Sequence, residues 1–148
     1  MKTSNPGRPL ELRGILETAL YADDLNRAEE FYTSVLGLTL FAKEAGRHLF
    51  FKFAEQMLLI FNPAKTAQEK ETAPHGAHGA GHVAFGAAMS ELDRWKQRLE
   101  SHGVEIESDI KWPNGARSIY FRDPAHNCLE LTSPVLWGMK EFGDSEML

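Results

Sequence analysis

The sequence of 148 residues holds a single cysteine, Cys128, which excludes an internal disulfide and a cysteine-rich zinc cluster and fits a reducing compartment. It lacks any apolar run near the ~20 residues needed to cross a membrane. Its first residues, MKTSNPGRPLELRG, carry no apolar stretch of signal-peptide length, so a cytoplasmic location with no membrane partner is expected. Positive charge is short as well. Lys and Arg number 16 against 21 Asp and Glu, a net charge of −5 that argues against a nucleic-acid partner. Compositional bias is also missing: 43% hydrophobic, 10% aromatic and 25% charged residues exclude collagen-like, low-complexity and disordered classes and leave one ordinary domain with a real core.

What is present is a repeat. RHLFFKFAEQMLLIF, from Arg47, lies over RSIYFRDPAHNCLEL, from Arg117, at a shift of 70 positions. ETALYADDLNRAEEFYTSVLGL, from Glu17, lies over HVAFGAAMSELDRWKQRLESHGV, from His82. Each copy opens with a short apolar strand, Thr18 to Ala22 or Val83 to Gly86, and runs into a helix with apolar residues at helical spacing. These are Leu25, Ala28, Phe31, Tyr32, Val35 and Leu36 in one copy, and Leu92, Trp95 and Leu99 in the other. Gly37 and Gly103 stand where helices end, and Asp24 and Ser90 are candidate N-caps. Three strands follow each helix: Leu38 to Lys43, His48 to Phe53 and Met57 to Phe61, then Val104 to Ser108, Ser118 to Arg122 and Leu129 to Thr132.

The fold class is therefore α+β, with two modules of strand, helix and three strands. The expected domain is 13–134, with modules at about 13–62 and 80–134, an inter-module loop at 63–79 and a tail at 135–148. Pairing two such sheets gives each helix-free face a partner. The apolar tail residues, Val135, Leu136, Trp137, Met139 and Phe142, are expected to clamp the core or a second subunit. Shared features such as Arg47 with Arg117 read as architecture, whereas differences mark a task. Four differences matter: Glu17 against His82, Ile60 against Glu130, His48 against Ser118 and Phe50 against Tyr120.

Glu17 and His82 each begin the first strand of their half, and Glu130 lies in the last strand of the second. Strand alternation puts Cys128 and Thr132 on the Glu130 face, Ala19 and Tyr21 with Glu17, and Ala84 and Gly86 with His82. One imidazole and two carboxylates suit Zn, Ni, Mn, Fe or Co, with coordination positions left open for substrate. On spacing alone, Glu17 reads equally as an exposed strand end and His82 as a structural residue.

The residues ETALYADDLNRAEEFYTSVLGL, GHVAF and RSIYFRDPAHNCLEL, from Ile15 to about Pro134, resemble the vicinal oxygen chelate superfamily, which includes glyoxalase I, fosfomycin-resistance proteins, bleomycin-resistance proteins and extradiol dioxygenases. The resemblance implies two paired βαβββ modules forming a curved mixed sheet around a central cleft. It implies a divalent metal on Glu17, His82 and Glu130, with Ile60 at the fourth ligand position. Ile60 binds no metal, which counts against glyoxalase I proper, and the single histidine counts against ferrous ring cleavage. Tyr120 matches a substrate-holding tyrosine of the fosfomycin enzymes. His126 replaces the glycine of the family's Asp-Pro-x-Gly-Asn turn, so an altered turn is expected.

His48 is a candidate acid or base. His75 and His78, in HGAHGAGH, are read as part of a lid or plain loop before a zinc cluster. The leading function is a metal-dependent, non-redox enzyme of the isomerase, lyase or transferase kind, acting on a small substrate with neighbouring oxygens. Alternatives are a metal-free protein that sequesters a drug-like ligand and an extradiol-type dioxygenase. A homodimer is expected, with the site possible across subunits.

Overall fold

The structure, a computed structural model, describes residues 9–143. The first module comprises β1 (Glu17–Tyr21), α1 (Leu25–Glu30), β2 (Thr39–Glu44), β3 (His48–Phe53) and β4 (Gln56–Phe61). A helical turn, α2 (Pro63–Thr66), opens the connection that was expected to be loop, with Asn62 as its cap. The second module comprises β5 (His82–Gly86), α3 (Leu92–Ser101), β6 (Ser108–Lys111), β7 (Arg117–Arg122) and β8 (Cys128–Thr132). Each module forms a four-stranded sheet, in the orders β1-β4-β3-β2 and β5-β8-β7-β6. The first strand of each runs parallel to the last, and the other pairs are antiparallel. The architecture is α+β with two modules, as expected. Among the described residues no helix is long and apolar enough to cross a membrane.

Both sheets pack on one core. Leu20, Leu49, Phe51, Leu58 and Ile60 of the first sheet and Phe85, Ile119, Phe121, Leu129 and Leu131 of the second belong to the same buried cluster as the α1 side chains. After Glu30 the helix widens to a π turn over Phe31–Val35, closed by the Leu36 amide donating to the Phe31 carbonyl. That turn serves both sheets, because the Tyr32 ring lies 5.6 Å from Phe51 and the Phe31 ring 6.4 Å from Phe121. Since both inner faces meet this shared core, the outer faces of the two sheets turn away from each other. Each buried Leu or Phe contributes about 1.5–3 kcal/mol of transfer free energy to this arrangement. Arg98 of α3 adds a polar tie, its Nε donating at 2.8 Å to the Val35 carbonyl at the end of the first helix.

Asp24 caps α1 by accepting from the Arg27 amide, and Gly37 and Gly103 adopt the left-handed conformation expected after each helix. Two local expectations are corrected. Ser90 does not cap α3, because a 3₁₀ turn at Met89–Glu91 precedes the helix and the α3 cap position is Glu91. The strand expected at Val104–Ser108 begins only at Ser108, because Val104 and Ile106 pack against the core before the chain pairs with β7.

The tail forms a 3₁₀ turn at Pro134–Trp137 and then crosses to β5. There the Phe142 ring lies so close to Gly86 that a Cβ on that residue would stand 2.7 Å from it. Trp137 and Met139 are exposed.

Candidate metal centre

The outer face of the second sheet is built by cross-strand rows. Glu130 stands between Ala84 of β5 and Tyr120 of β7, and Cys128 stands between His82 and Arg122. On this face of β5 Ala84 is small and the Phe142 ring covers Gly86, while Leu129 and Leu131 enter the core.

His82 and Glu130 come together, with Nε2 and Oε2 3.4 Å apart. The His82 Nδ1 is 2.9 Å from the Cys128 carbonyl, which can only accept, so Nδ1 donates to it and Nε2 is the nitrogen turned toward the carboxylate. Glu130 is 5% exposed, and its other oxygen, Oε1, has no hydrogen-bond partner. A buried carboxylate oxygen with no donor, beside an imidazole nitrogen aimed at the same carboxylate, is a donor set that suits a cation. Two ligands each about 2.1 Å from one tetrahedral metal stand about 3.4 Å apart, so the pair as it stands fits a divalent ion.

Glu17 does not join them. It is exposed at the start of β1 on the outer face of the first sheet, and among the described residues no three His, Cys, Asp or Glu side chains gather closely enough to hold one metal. The outward turn of the two sheets is the reason.

The fourth position is corrected from Ile60 to Leu59. Ala84 pairs with Glu130 in the second sheet, and the equivalent Ala19 pairs with Leu59 in the first. The shift between halves is 70 residues through β3 and β7 but 71 in the last strands, because the β7–β8 connection is one residue longer. Ile60 is fully buried in the core. Leu59 binds metal no better, so the shortage of a fourth ligand stands.

Tyr120 lies on the same face as Glu130, its ring 6.4 Å from that of His82. Burial, and then the nearby Glu130 carboxylate, push its phenol above the usual value, so it stays protonated and able to donate at neutral pH. His48 sits instead on the outer face of the first sheet, stacked on Phe50 at 4.0 Å. Burial lowers its pKa, as does the Arg47 guanidinium, whose Nη1 is 2.6 Å from Nδ1. With Nδ1 accepting from arginine, the proton sits on Nε2.

His75 also reaches the first sheet, against Tyr21 and Phe61. His78 lines a cavity of about 380 Å³ with Tyr21, Asp23, Pro63 and His126. Among the described residues, then, these histidines do not complete the His82–Glu130 pair. In the turn from Asp123 to Asn127, His126, at the place of the family's glycine, takes the left-handed conformation at φ 66°. The Asp123 Oδ1 accepts from the amides of Ala125 and Asn127. The Asn127 side chain bonds the Gly81 amide and the Tyr21 carbonyl, joining the starts and ends of two strands. Sequence reasoning missed Asp123 and Asn127 as inter-module ties, although the family-like Asp-Pro turn was their signal.

The sequence matches the model of the Glyoxalase/Bleomycin resistance protein/Dioxygenase superfamily over residues 14–131. It is 44% identical to a crystal structure of lactoylglutathione lyase from Agrobacterium tumefaciens, with a TM-score of 0.85, covering 88% of this chain and 100% of that one. It is 28% identical over 130 residues to the glyoxalase domain-containing protein RDO1 of Mycosarcoma maydis, which is 85% of this chain and 71% of that protein. A mutant of the fosfomycin resistance protein FosX from Listeria monocytogenes, crystallised with Mn(II) and 1S,2S-dihydroxypropylphosphonic acid, shares the fold at a TM-score of 0.63 and 24% identity, over 82% of this chain and 90% of that one.

Proposed function

The chain belongs to the Glyoxalase/Bleomycin resistance protein/Dioxygenase superfamily, and from that premise we propose that it is a divalent-metal-dependent, non-redox enzyme acting on a small substrate with neighbouring oxygens. The observation that carries the reading is the buried Glu130 Oε1, without a donor, with the His82 Nε2 3.4 Å from the other oxygen of the same carboxylate. The likeness to a lyase at 44% identity, and the Mn(II) held by FosX, lean the same way.

His82 and Glu130 are the ligands supplied by one protomer, and Glu17 is the third, supplied by a second copy whose first sheet covers this face. Outer faces that point apart within one chain can meet only between chains, and such an arrangement makes the homodimer the working unit. One imidazole and two carboxylates accept Zn, Ni, Mn, Fe or Co. The ion would supply Lewis acidity, polarising the substrate's adjacent oxygens and stabilising the charge that develops on them.

The protein's own groups do the rest. Tyr120 donates its phenol proton toward a substrate oxygen, and its raised pKa keeps that proton in place. His48, neutral and protonated on Nε2, offers a second donor from the first sheet. Two carboxylates with one imidazole favour this chemistry over ring cleavage, for which two histidines and one carboxylate are usual.

Elemental analysis of the purified protein, with a thermal-shift panel of Mn, Fe, Co, Ni, Zn and Mg on the stripped form, tests the reading. Near-stoichiometric metal that is lost in His82→Ala supports it. Saturation at 100 times the dissociation constant should stabilise the fold by about 2.7 kcal/mol. No metal and no shift would leave a metal-free binding protein.

A further inference from the structure

The outer face of the first sheet carries a ring cluster that the second sheet lacks. At equivalent positions the second sheet has Ser118, Tyr120 and Thr132, and the first has His48, Phe50 and Phe61. Phe61 is the centre. The Phe50 ring meets it at 5.7 Å and 76°, the His48 ring at 6.1 Å and 72°, and the Tyr21 ring at 6.3 Å.

The approach to Phe61 is filled by one side chain from the inter-module connection. The His75 ring stands edge-on to Phe61 at 4.6 Å and 76°, and its Nδ1 lies 2.8 Å from the Tyr21 hydroxyl. An edge-on ring on an aromatic face is the arrangement the ring quadrupoles favour. Yet His75 and its neighbours from Glu71 to Ala80 are exposed, so little burial holds the imidazole where it is. The nearby cation does not favour an anion here, because Arg47, 5.8 Å from the Phe61 centroid, is paired with Glu69 at 2.7 Å.

We propose that this face is a subsite for a planar nitrogen heteroaromatic group, and that His75 occupies it in the group's absence. The arriving ring displaces the imidazole, sets its edge on Phe61 and takes the Tyr21 hydroxyl on its ring nitrogen. Glu17 and Tyr21 share the outer face of β1, so a ring bound here lies on the same sheet face as the third metal ligand. That the ring is part of the substrate rests on the metal-site reading above; that a ring binds does not.

The test uses metal-free full-length protein, so that no nitrogen ligand is captured by metal, and benzimidazole as the probe, followed by calorimetric titration. His75→Ala should bind benzimidazole at least roughly fivefold more tightly than the wild type, because the competing ring is gone. Adding Tyr21→Phe to that background should weaken binding roughly tenfold, the loss of one hydrogen bond. Indane, which has the shape but no ring nitrogen, should not respond to Tyr21→Phe. Circular dichroism melts confirm that each variant is folded; if the double variant is not, the comparison of His75→Ala with the wild type decides.

Equal binding by wild type and His75→Ala, or no binding by either because a second copy covers the face, overturns the proposal. Metal uptake without benzimidazole binding would sink the ring subsite alone. Benzimidazole binding by a protein that takes up no metal would sink the metal reading alone.

Discussion

The hydroxyl of Tyr32 donates a 2.7 Å hydrogen bond to the Asp123 carboxylate, joining the first helix to a turn of the second module 91 positions away. Tyr32 is fully buried and Asp123 is 4% exposed, so each would be costly without the other. Tyr32→Phe should destabilise the protein by about 2 kcal/mol, roughly 4–8 °C in a thermal melt. Burial, and then Asp123, push the phenol well above its usual value. A raised folded pKa gives stability that is whole below the unfolded value near 10 and lost as pH rises past it. The gap between Tyr32→Phe and wild type should therefore narrow only above about pH 10. An unchanged melting temperature would show that the modules are held by apolar packing alone.

The repeat was legible because two sheets with the same strand order need the same alternation of inward residues, and Leu49 with Ile119, or Phe51 with Phe121, report it directly. The last strand was misread by one residue for a physical reason. Turn length is not encoded in strand periodicity, and the extra residue between Arg122 and Cys128 moves the partner of Glu130 from Ile60 to Leu59. The start of β6 was misplaced because apolar residues that pack as coil, Val104 and Ile106, look like a strand in sequence. Glu130 stands out in the sequence as a carboxylate on an apolar strand, and His82 as the counterpart of Glu17 in the other copy, both local signals. The outward turn that separates Glu17 from them depends on how two modules share one helix layer, which no local pattern states.

His126 holds a left-handed backbone at φ 66° where a glycine would rest without strain. The turn keeps it there through Asp123, whose carbonyl accepts from the His126 amide at 2.9 Å. His126→Gly should relieve the strain and stabilise the fold by roughly 0.5–1 kcal/mol after glycine's greater unfolded-state entropy is counted. Urea titration would read this as a higher midpoint at unchanged slope. A lower midpoint would mean that the imidazole, which borders the cavity beside His78, makes contacts worth more than the strain.

Asp109 accepts two hydrogen bonds from Arg117, each 2.8 Å, and one from Lys96 at 2.9 Å. The Arg117 hydrogen bonds, with the one from Lys96, hold its carboxyl well below the usual range. A depressed folded pKa contributes stability that is present above the unfolded value near 4 and is lost as pH falls below it. Asp109→Asn should cost about 1 kcal/mol at pH 7, since the network is partly screened by solvent, and the difference should shrink progressively below about pH 4. Denaturant midpoints of both proteins at pH 7, 4 and 3 check this; a difference that stays constant with pH would mean Asp109 acts by packing.

If Glu17 serves the site of a second copy, two damaged chains can repair each other. Glu17→Gln keeps His82 and Glu130 intact, and His82→Ala keeps Glu17 intact. In a mixed dimer, Glu17 from the His82→Ala chain meets His82 and Glu130 from the Glu17→Gln chain, giving one complete site and one site that lacks both groups. Random mixing by unfolding and refolding together makes half of all dimers mixed, so about a quarter of the sites should regain metal while each variant refolded alone regains little. Metal analysis after gel filtration reads the result. No recovery in the mixture, with both variants folded and dimeric, would rule out Glu17 serving a second copy's site, and full metal content in Glu17→Gln refolded alone would remove Glu17 from the set.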